Sequence, residues 1–317
     1  MKHRLPILAA VGAVAAIWLG MLADFGFRRW TQTTSAKQLA AVQPAADQTV
    51  QAERLVHQAA ERLDQYASIS AKLRLKADIF NEKIVGQGQY RQGTAASHLL
   101  RWDTTLHIGE HVTSMQQIVD GSSLWMYQGT NDKPTLRRVD LSRVLAAEQG
   151  LPRPAGEPSL HGLGLGPIGG VPKLLRSLDL SVNFNSLSQA RLSAKFFGTQ
   201  GAELPVYVVR GTWTPAVWAK FLPEQAGEIM AGQPPKLKKL PQQVPDQVVV
   251  TLGCEDWFPY RIEFLRSVDD PPKPLFVAEL YDVQWNVPLD RRLFAYQPGN
   301  LLVSDFTDPF IFNLVSP

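Results

Sequence analysis

The sequence predicts an α+β fold in which one antiparallel sheet carries a lid of helices. Three observations predict it. Residues 67–127 read as five antiparallel strands, and the first of them alternates almost without a break. Ile69, Ala71, Leu73, Leu75, Ala77 and Ile79 fall on one face, and Ser70, Lys72, Arg74, Lys76 and Asp78 on the other, so the strand has a dry side and a wet side. Strand patterns return from Val248 to Tyr296, after a middle stretch that carries helix signals. Strands at both ends enclosing helical insertions suit a single sheet with a lid rather than two domains.

The elements follow in order. Met1-Lys2-His3-Arg4 is basic, and Leu5 to Leu22 is a run of eighteen uncharged, mostly apolar residues. A secretory core is usually about 7–15 residues and a spanning helix about 17–25, so the run is nearer a spanning length. No small residue sits two positions before Ala23, and no cysteine follows. Residues 1–23 therefore read as an uncleaved signal anchor, with a cleaved signal as the alternative. The basic amino end places the bulk of the chain outside the cytoplasm, although Arg28 and Arg29 lie close to the far side. Thr31 to Asp47 is rich in Thr, Gln, Ala and Ser with no periodicity, and residues 24–47 are expected to form a flexible tether. The remaining residues, 48–317, are expected to form the folded domain.

Within that domain, Leu55, Val56, Ala59, Leu63 and Tyr66 form a helical stripe over Val50–Tyr66. Strands follow to about residue 141, then a helix over Leu141–Gln149 that Gly150 and Pro152 end. A Gly/Pro loop over 150–170 leads to a helix from Val171 to Leu178. Val206–Trp213 alternates as a strand, and Thr214-Pro215 reads as an N-cap with proline in the first turn. Pro223 should stop that helix. Gln233–Asp246 is a loop, and Asp305–Val315 a terminal turn or short helix.

Composition limits the function. The chain is 45% hydrophobic and 19% charged, an ordinary globular balance, and its net charge of +3 is too small to argue for nucleic acid. Lys236-Leu237-Lys238-Lys239 sits among prolines and reads as a solvated loop. Cys254 is the lone cysteine and reads as a part-buried small residue. Gly164 to Gly169 spell G-x-G-x-x-G, but Pro154 to Pro158 upstream is loop, so no βαβ unit supports a nucleotide reading. His107 and His111 flank a turn and lack a third ligand. Glu255-Asp256 and Asp269-Asp270 are adjacent, a spacing that points side chains apart along a strand or into water at a turn. Neither a Gly-x-Ser-x-Gly elbow nor a cysteine–histidine pairing is present, and no cofactor is implied.

Two blocks carry a resemblance. The first is Gly86-Gln87-Gly88-Gln89-Tyr90, then Leu99-Leu100-Arg101-Trp102, then Val119-Asp120-Gly121 before Leu124-Trp125-Met126-Tyr127. The second is Pro259-Tyr260-Arg261-Ile262-Glu263-Phe264, Leu280-Tyr281-Asp282-Val283, Asn286-Val287-Pro288-Leu289 and Phe294 to Pro298. In that order and separation they resemble the LolA-type lipoprotein carriers, over roughly residues 50–127 and 246–300. The resemblance implies an incomplete antiparallel barrel, a half-pipe with short helices in its mouth, holding a lipid or a lipoprotein acyl group. The carriers have an arginine and proline at the end of the third strand, where the arginine holds the lid; here Gln92 to Ser97 stands in that place.

The expected ligand face is made of Leu73, Leu75, Leu99, Trp102, Leu124, Met126, Phe264 and Tyr281, with residues 141–178 as lid. Burial of an acyl chain there contributes about 0.8 kcal/mol per methylene. The expected partners are a lipid or acylated lipoprotein, the membrane through residues 5–22, and an envelope protein if the domain senses rather than carries. The retained anchor and the missing Arg-Pro favour sensing over shuttling. A hydrolase would need a polar cluster that only folding assembles.

Overall fold

The computed structural model describes residues 46–79, 82–129, 134–149, 166–193, 203–268 and 271–315. The run at residues 5–22 lies outside them, as does the tether up to Pro44 and Ala45. No helix among the described residues is long and apolar enough to cross a membrane.

The folded chain opens with α1 (Ala46–Leu63). Its buried side, Ala52, Val56, Ala59, Ala60 and Leu63, follows the helical period. Six strands come next: β1 (Ile69–Ile79), β2 (Glu82–Gln92), β3 (Leu99–Ile108), β4 (His111–Asp120), β5 (Ser123–Gly129) and β6 (Thr135–Asp140). They form one antiparallel meander. Two helices follow, α2 (Leu141–Gln149) and α3 (Gly166–Ser181). The second meander is β7 (Val182–Leu192), β8 (Leu204–Trp213), β9 (Gln247–Gly253), β10 (Pro259–Arg266) and β11 (Lys273–Trp285). Between β8 and β9 lie α4 (Pro215–Phe221) and α5 (Ala226–Met230). The chain ends with β12 (Val303–Asp305) and α6 (Thr307–Val315).

The two meanders join side by side. The 12-stranded sheet is open and runs β12-β6-β5-β4-β3-β2-β1-β11-β10-β9-β8-β7. Every neighbouring pair is antiparallel except β12 on β6. The seam is β1 against β11, where Leu73 faces Leu280 and Leu75 faces Ala278. The chain thus leaves the first meander at one edge of the sheet and enters the second at the other. The segment between, which carries α2 and α3, has to cross from edge to edge.

Local chemistry explains the two motif blocks. At the β4–β5 turn the Asp120 carboxylate accepts the N–H groups of Ser122 and Ser123 at 2.9 and 2.8 Å and the Trp125 indole N–H at 3.0 Å. Gly121 has φ 99°, which a side chain would resist. Asn286 ends β11 at φ 56° and ties that end to the chain entering β1: its side-chain oxygen accepts the Ala67 N–H at 2.8 Å, and its own N–H reaches Ser68 O at 2.9 Å.

Three expectations need correction. The second meander stops at Trp285, not near Tyr296; residues 286–302 run as a strap across the sheet, with the Arg101 guanidinium donating to Leu293 O at 2.8 Å and Trp125 stacked on Tyr296 at 5.4 Å. The strand β7 is absent from the sequence reading. A register shift between Phe184 and Ser186 moves the inward position from 186 to Leu187, so no clean alternation survives in its sequence. The first helix ends at Leu63, and Tyr66 lies beyond it, 6.0 Å from the Trp285 ring.

Candidate functional site: the helix-covered face of the sheet

The ladder registers decide which side chains share a face, because residues directly opposite one another point the same way. On the side facing the helices, Leu73 and Leu75 of β1 lie beside Gly88 and Gly86 of β2. Next come Trp102 and Leu106 of β3, then Met126 and Leu124 of β5 across Gln117 and Val119 of β4. Toward the other edge the same face carries Leu280 and Phe276, Ile262 and Phe264, Val250 and Val248. The absence of a side chain at Gly86 lets Leu75 and Leu106 meet, since a Cβ there would stand 2.6 Å from Leu106 and 3.1 Å from Leu75.

Of the side chains expected to line the ligand face, Leu73, Leu75, Trp102, Leu124, Met126 and Phe264 converge on this one side. Leu99 and Tyr281 do not. Leu99 pairs with Asp120 on the opposite side, and Leu100 takes the inward place. Tyr281 pairs with Lys72, under the Arg74 guanidinium at 4.9 Å, and Leu280 takes the inward place. The opposite side there is an ion-pair surface, with the buried Glu279 carboxylate held between Arg74 at 3.1 Å and Arg261 at 3.4 Å.

Helices cover the face in three parcels. α1 and α3 pack together and rest on β7, β8 and β3. α2 packs with α6 against the β5–β6 end, where Leu124, Val139, Val144 and Phe310 are buried. α4 closes the β8–β10 end, where Trp213 stacks on Phe264 at 6.0 Å and donates to Pro245 O at 2.7 Å. The two described ends of the segment 141–178 therefore cover different parts of the face. The segment's second half works with α1, which the sequence reading left outside the lid. In this state the face is filled: Leu73 and Leu124 are 0% exposed and Trp102 is 9% exposed.

A polar contact that no sequence spacing announces links the sheet to α3. Tyr90 on β2 is fully buried, with its ring edge against Trp102 at 5.3 Å. Its hydroxyl accepts the Val171 N–H at 2.9 Å and donates to the Gln92 side-chain oxygen. Burial pushes the phenol well above its ordinary pKa, so it stays neutral. The reason for the contact is local. Gly170 breaks α3 at φ 62°, so a new helix begins at Val171 with Pro172 in its first turn. A helix start leaves N–H groups without partners. Proline removes one, and Tyr90 takes another. The Gln92 side-chain oxygen, which accepts the Tyr90 hydroxyl, also lies against Gly170, so two polar side chains of this strand end meet the start of the new helix.

On its outer side α3 is pinned to α1 by ion pairs. The His57 imidazole sits 2.9 Å from Asp179 and 3.5 Å from Glu61, and Arg176 pairs with Asp64. The hydrogen bond to Asp179 raises the His57 pKa above its usual value, against the opposing effect of burial.

The groups that might suggest chemistry have structural occupations. Asp256 accepts the Phe258 N–H at 3.0 Å and the Tyr260 hydroxyl at 2.6 Å, closing the β9–β10 turn. The Cys254 thiol is pushed up by burial and by the neighbouring Asp256 and Glu255, the reverse of activation. His107 and His111 point to opposite faces, since His107 pairs with Val112 and His111 with Ile108. No group of three or more metal-ligating side chains occurs among the described residues. The last residues of the glycine motif, Gly166 to Gly169, open α3, and the first two lie outside the described residues.

No protein-family model matches the chain, and no curated protein matches it by sequence. Solved structures do. The lipoprotein LppX of Mycobacterium tuberculosis is similar over 76% of this chain and 98% of its own, at 9% identity and a TM-score of 0.36. An outer membrane lipoprotein-sorting protein domain from Vibrio parahaemolyticus is similar over 78% and 97%, at 10% and 0.31. The MucA/MucB complex of Pseudomonas aeruginosa is also similar, over 78% of this chain and 61% of that one, at 11% and 0.33.

Proposed function

We propose that the helix-covered face is a half-pipe that binds a lipid or a lipoprotein acyl group, in a domain held outside the cytoplasm by an anchor at residues 5–22. The observation that carries this is the convergence of Leu73, Leu75, Trp102, Leu124, Met126 and Phe264 on one apolar face of an open sheet, covered by separate short helices rather than by a second sheet. A ligand enters by replacing helix side chains. Val171, Leu175 and Leu178 of α3 are buried there. Each contributes about 1.5–3 kcal/mol, and an acyl stretch of about ten methylenes contributes about 8 kcal/mol. Exchange of one for the other is near balance, the condition for a lid that opens when ligand arrives. The role is binding, without catalysis.

Native mass spectrometry with lipid extraction, on protein purified from its own host's envelope, tests this. The expected result is a copurifying lipid or acylated peptide that is lost in Met126→Glu and kept in Tyr281→Ser, which alters the opposite face. Circular dichroism checks that both variants fold. A clean ligand-free mass, or equal loss in both variants, overturns the reading.

A second reading is an interaction module that recognises an envelope protein. The edge strand β7, which pairs on one side only among the described residues, favours it.

A further inference from the structure

The two edges of the sheet are finished differently. At one, β12 lies on β6 in parallel register, with Val303 against Leu136 and Asp305 against Arg138, so the outermost strand is a three-residue stub. At the other, β7 runs for 11 residues and pairs with β8 alone among the described residues. In an antiparallel pair every second residue turns its N–H and C=O away from its partner, and on an outermost strand those groups have no ladder to join. Ser188, Gln189, Ala190 and Arg191 are exposed. Edges are usually blunted by proline, charge, bulges or shortness. The β7 bulge lies in the other half of the strand, at Phe184–Ser186, β7 contains no proline, and its one charged side chain is Arg191.

A cleft of about 430 Å³ lies along this open half. One wall is α1, which presents Gln51, Arg54 and Gln58 at helical spacing. The floor is Leu187 and Tyr207, half-buried against the core. Among the described residues no acidic side chain lines the cleft, and Arg54 brings a positive charge to it. A lipid tail would find amides and a guanidinium over much of this lining. An extended main chain finds what it needs: free ladder groups on β7, amide side chains opposite, and a narrow apolar floor for alternate side chains.

We infer that the outer edge of β7 docks an extended peptide segment of a partner protein, added as a further strand, with acidic side chains facing Arg54. This rests on the interaction-module reading and is independent of lipid in the half-pipe.

The test uses the full-length chain in nanodiscs and a fluorescein-labelled peptide of about ten residues alternating valine and glutamate. Anisotropy should show saturable binding that weakens at least about tenfold in Arg54→Glu and with lysine in place of the peptide's glutamates. Amide exchange at residues 188–191 should slow when the peptide is bound. Arg54 is exposed, so its variant should fold as the parent does. Lipid copurification should survive Arg54→Glu, which separates failure here from failure of the half-pipe reading. No saturation up to about 1 mM peptide, binding unchanged in Arg54→Glu, or protection of the same amides by oleate and not by peptide would each overturn the inference.

Discussion

The Tyr90 hydroxyl, on a fully buried side chain of β2, accepts the backbone N–H of Val171 at the start of a helical segment 81 residues away in sequence. The contact joins the sheet to the helix that covers it, at the turn where Gly170 interrupts α3. Its removal therefore reports on the lid. Tyr90→Phe keeps the ring against Trp102 but leaves the Val171 N–H and the Gln92 carbonyl in a dry site, at a cost of about 1–3 kcal/mol. Since about 1.4 kcal/mol is tenfold in an opening equilibrium, amide exchange from Val171 to Leu175 should rise by about tenfold or more while that of β1 changes less. Uniform acceleration across both would show that Tyr90 supports the whole fold and not the lid.

Gly170 should tolerate no side chain. Its φ of 62° costs an ordinary residue about 1–3 kcal/mol, and a Cβ there would also collide with the Tyr90 hydroxyl and stand 2.6 Å from the Gln92 side-chain oxygen. Gly170→Ala should lower the melting temperature and loosen α3. Combined with Tyr90→Phe, its effect should be smaller than the sum of the two, because the phenylalanine removes one of the colliding atoms. Strict additivity in thermal melts would place the two residues in separate structural units.

The β4–β5 turn depends on the charge of Asp120. Burial works against that charge, but the donors from Trp125, Ser122 and Ser123 outweigh it and hold the carboxyl below its usual pKa. A folded pKa below the unfolded one contributes stability above about pH 3.9 that is lost as pH falls through the folded value. Asp120→Asn should destabilise by about 1–3 kcal/mol at neutral pH, because an amide N–H₂ turned toward the Trp125 N–H cannot accept it. Urea melts of the variant should also lose part of the acid dependence of the parent. Identical acid slopes would assign that dependence to other carboxylates.

Most of the sheet was legible in the sequence, and what was not has physical causes. The alternation of Ile69 to Ile79 and the Asp120-Gly121 and Asn286-Val287-Pro288 turns are local signals, and each is met by a local structure. Facing was harder. Leu99-Leu100 and Leu280-Tyr281 each offer two apolar neighbours, and only pairing across strands decides which points inward. The strap of residues 286–302 adds to the ambiguity, because it buries part of the opposite side and so allows apolar residues such as Ile118 there. The lid contact was invisible for another reason. A tyrosine on β2 and a backbone N–H after Gly170 share no spacing, and only the crossing of α3 over the sheet brings them together.

That crossing should also respond to pH. His57 on α1 faces Asp179 of α3 and Glu61 of its own helix, with Arg176 nearby as the opposing charge. Its folded pKa is raised, chiefly by the hydrogen bond to Asp179. The contribution to stability is then fully present below about pH 6.5, the unfolded value, and is lost as pH rises through the folded one. The α1–α3 contact should be tighter in mildly acid conditions, with slower exchange of α3 amides at about pH 6 than at about pH 8 once intrinsic rates are corrected. His57→Gln keeps a polar side chain but cannot charge, and should flatten the difference. Asp179→Asn should flatten it as well, because it removes the partner that raises the pKa. A pH dependence of α3 exchange that persists in both variants would mean that another group sets it.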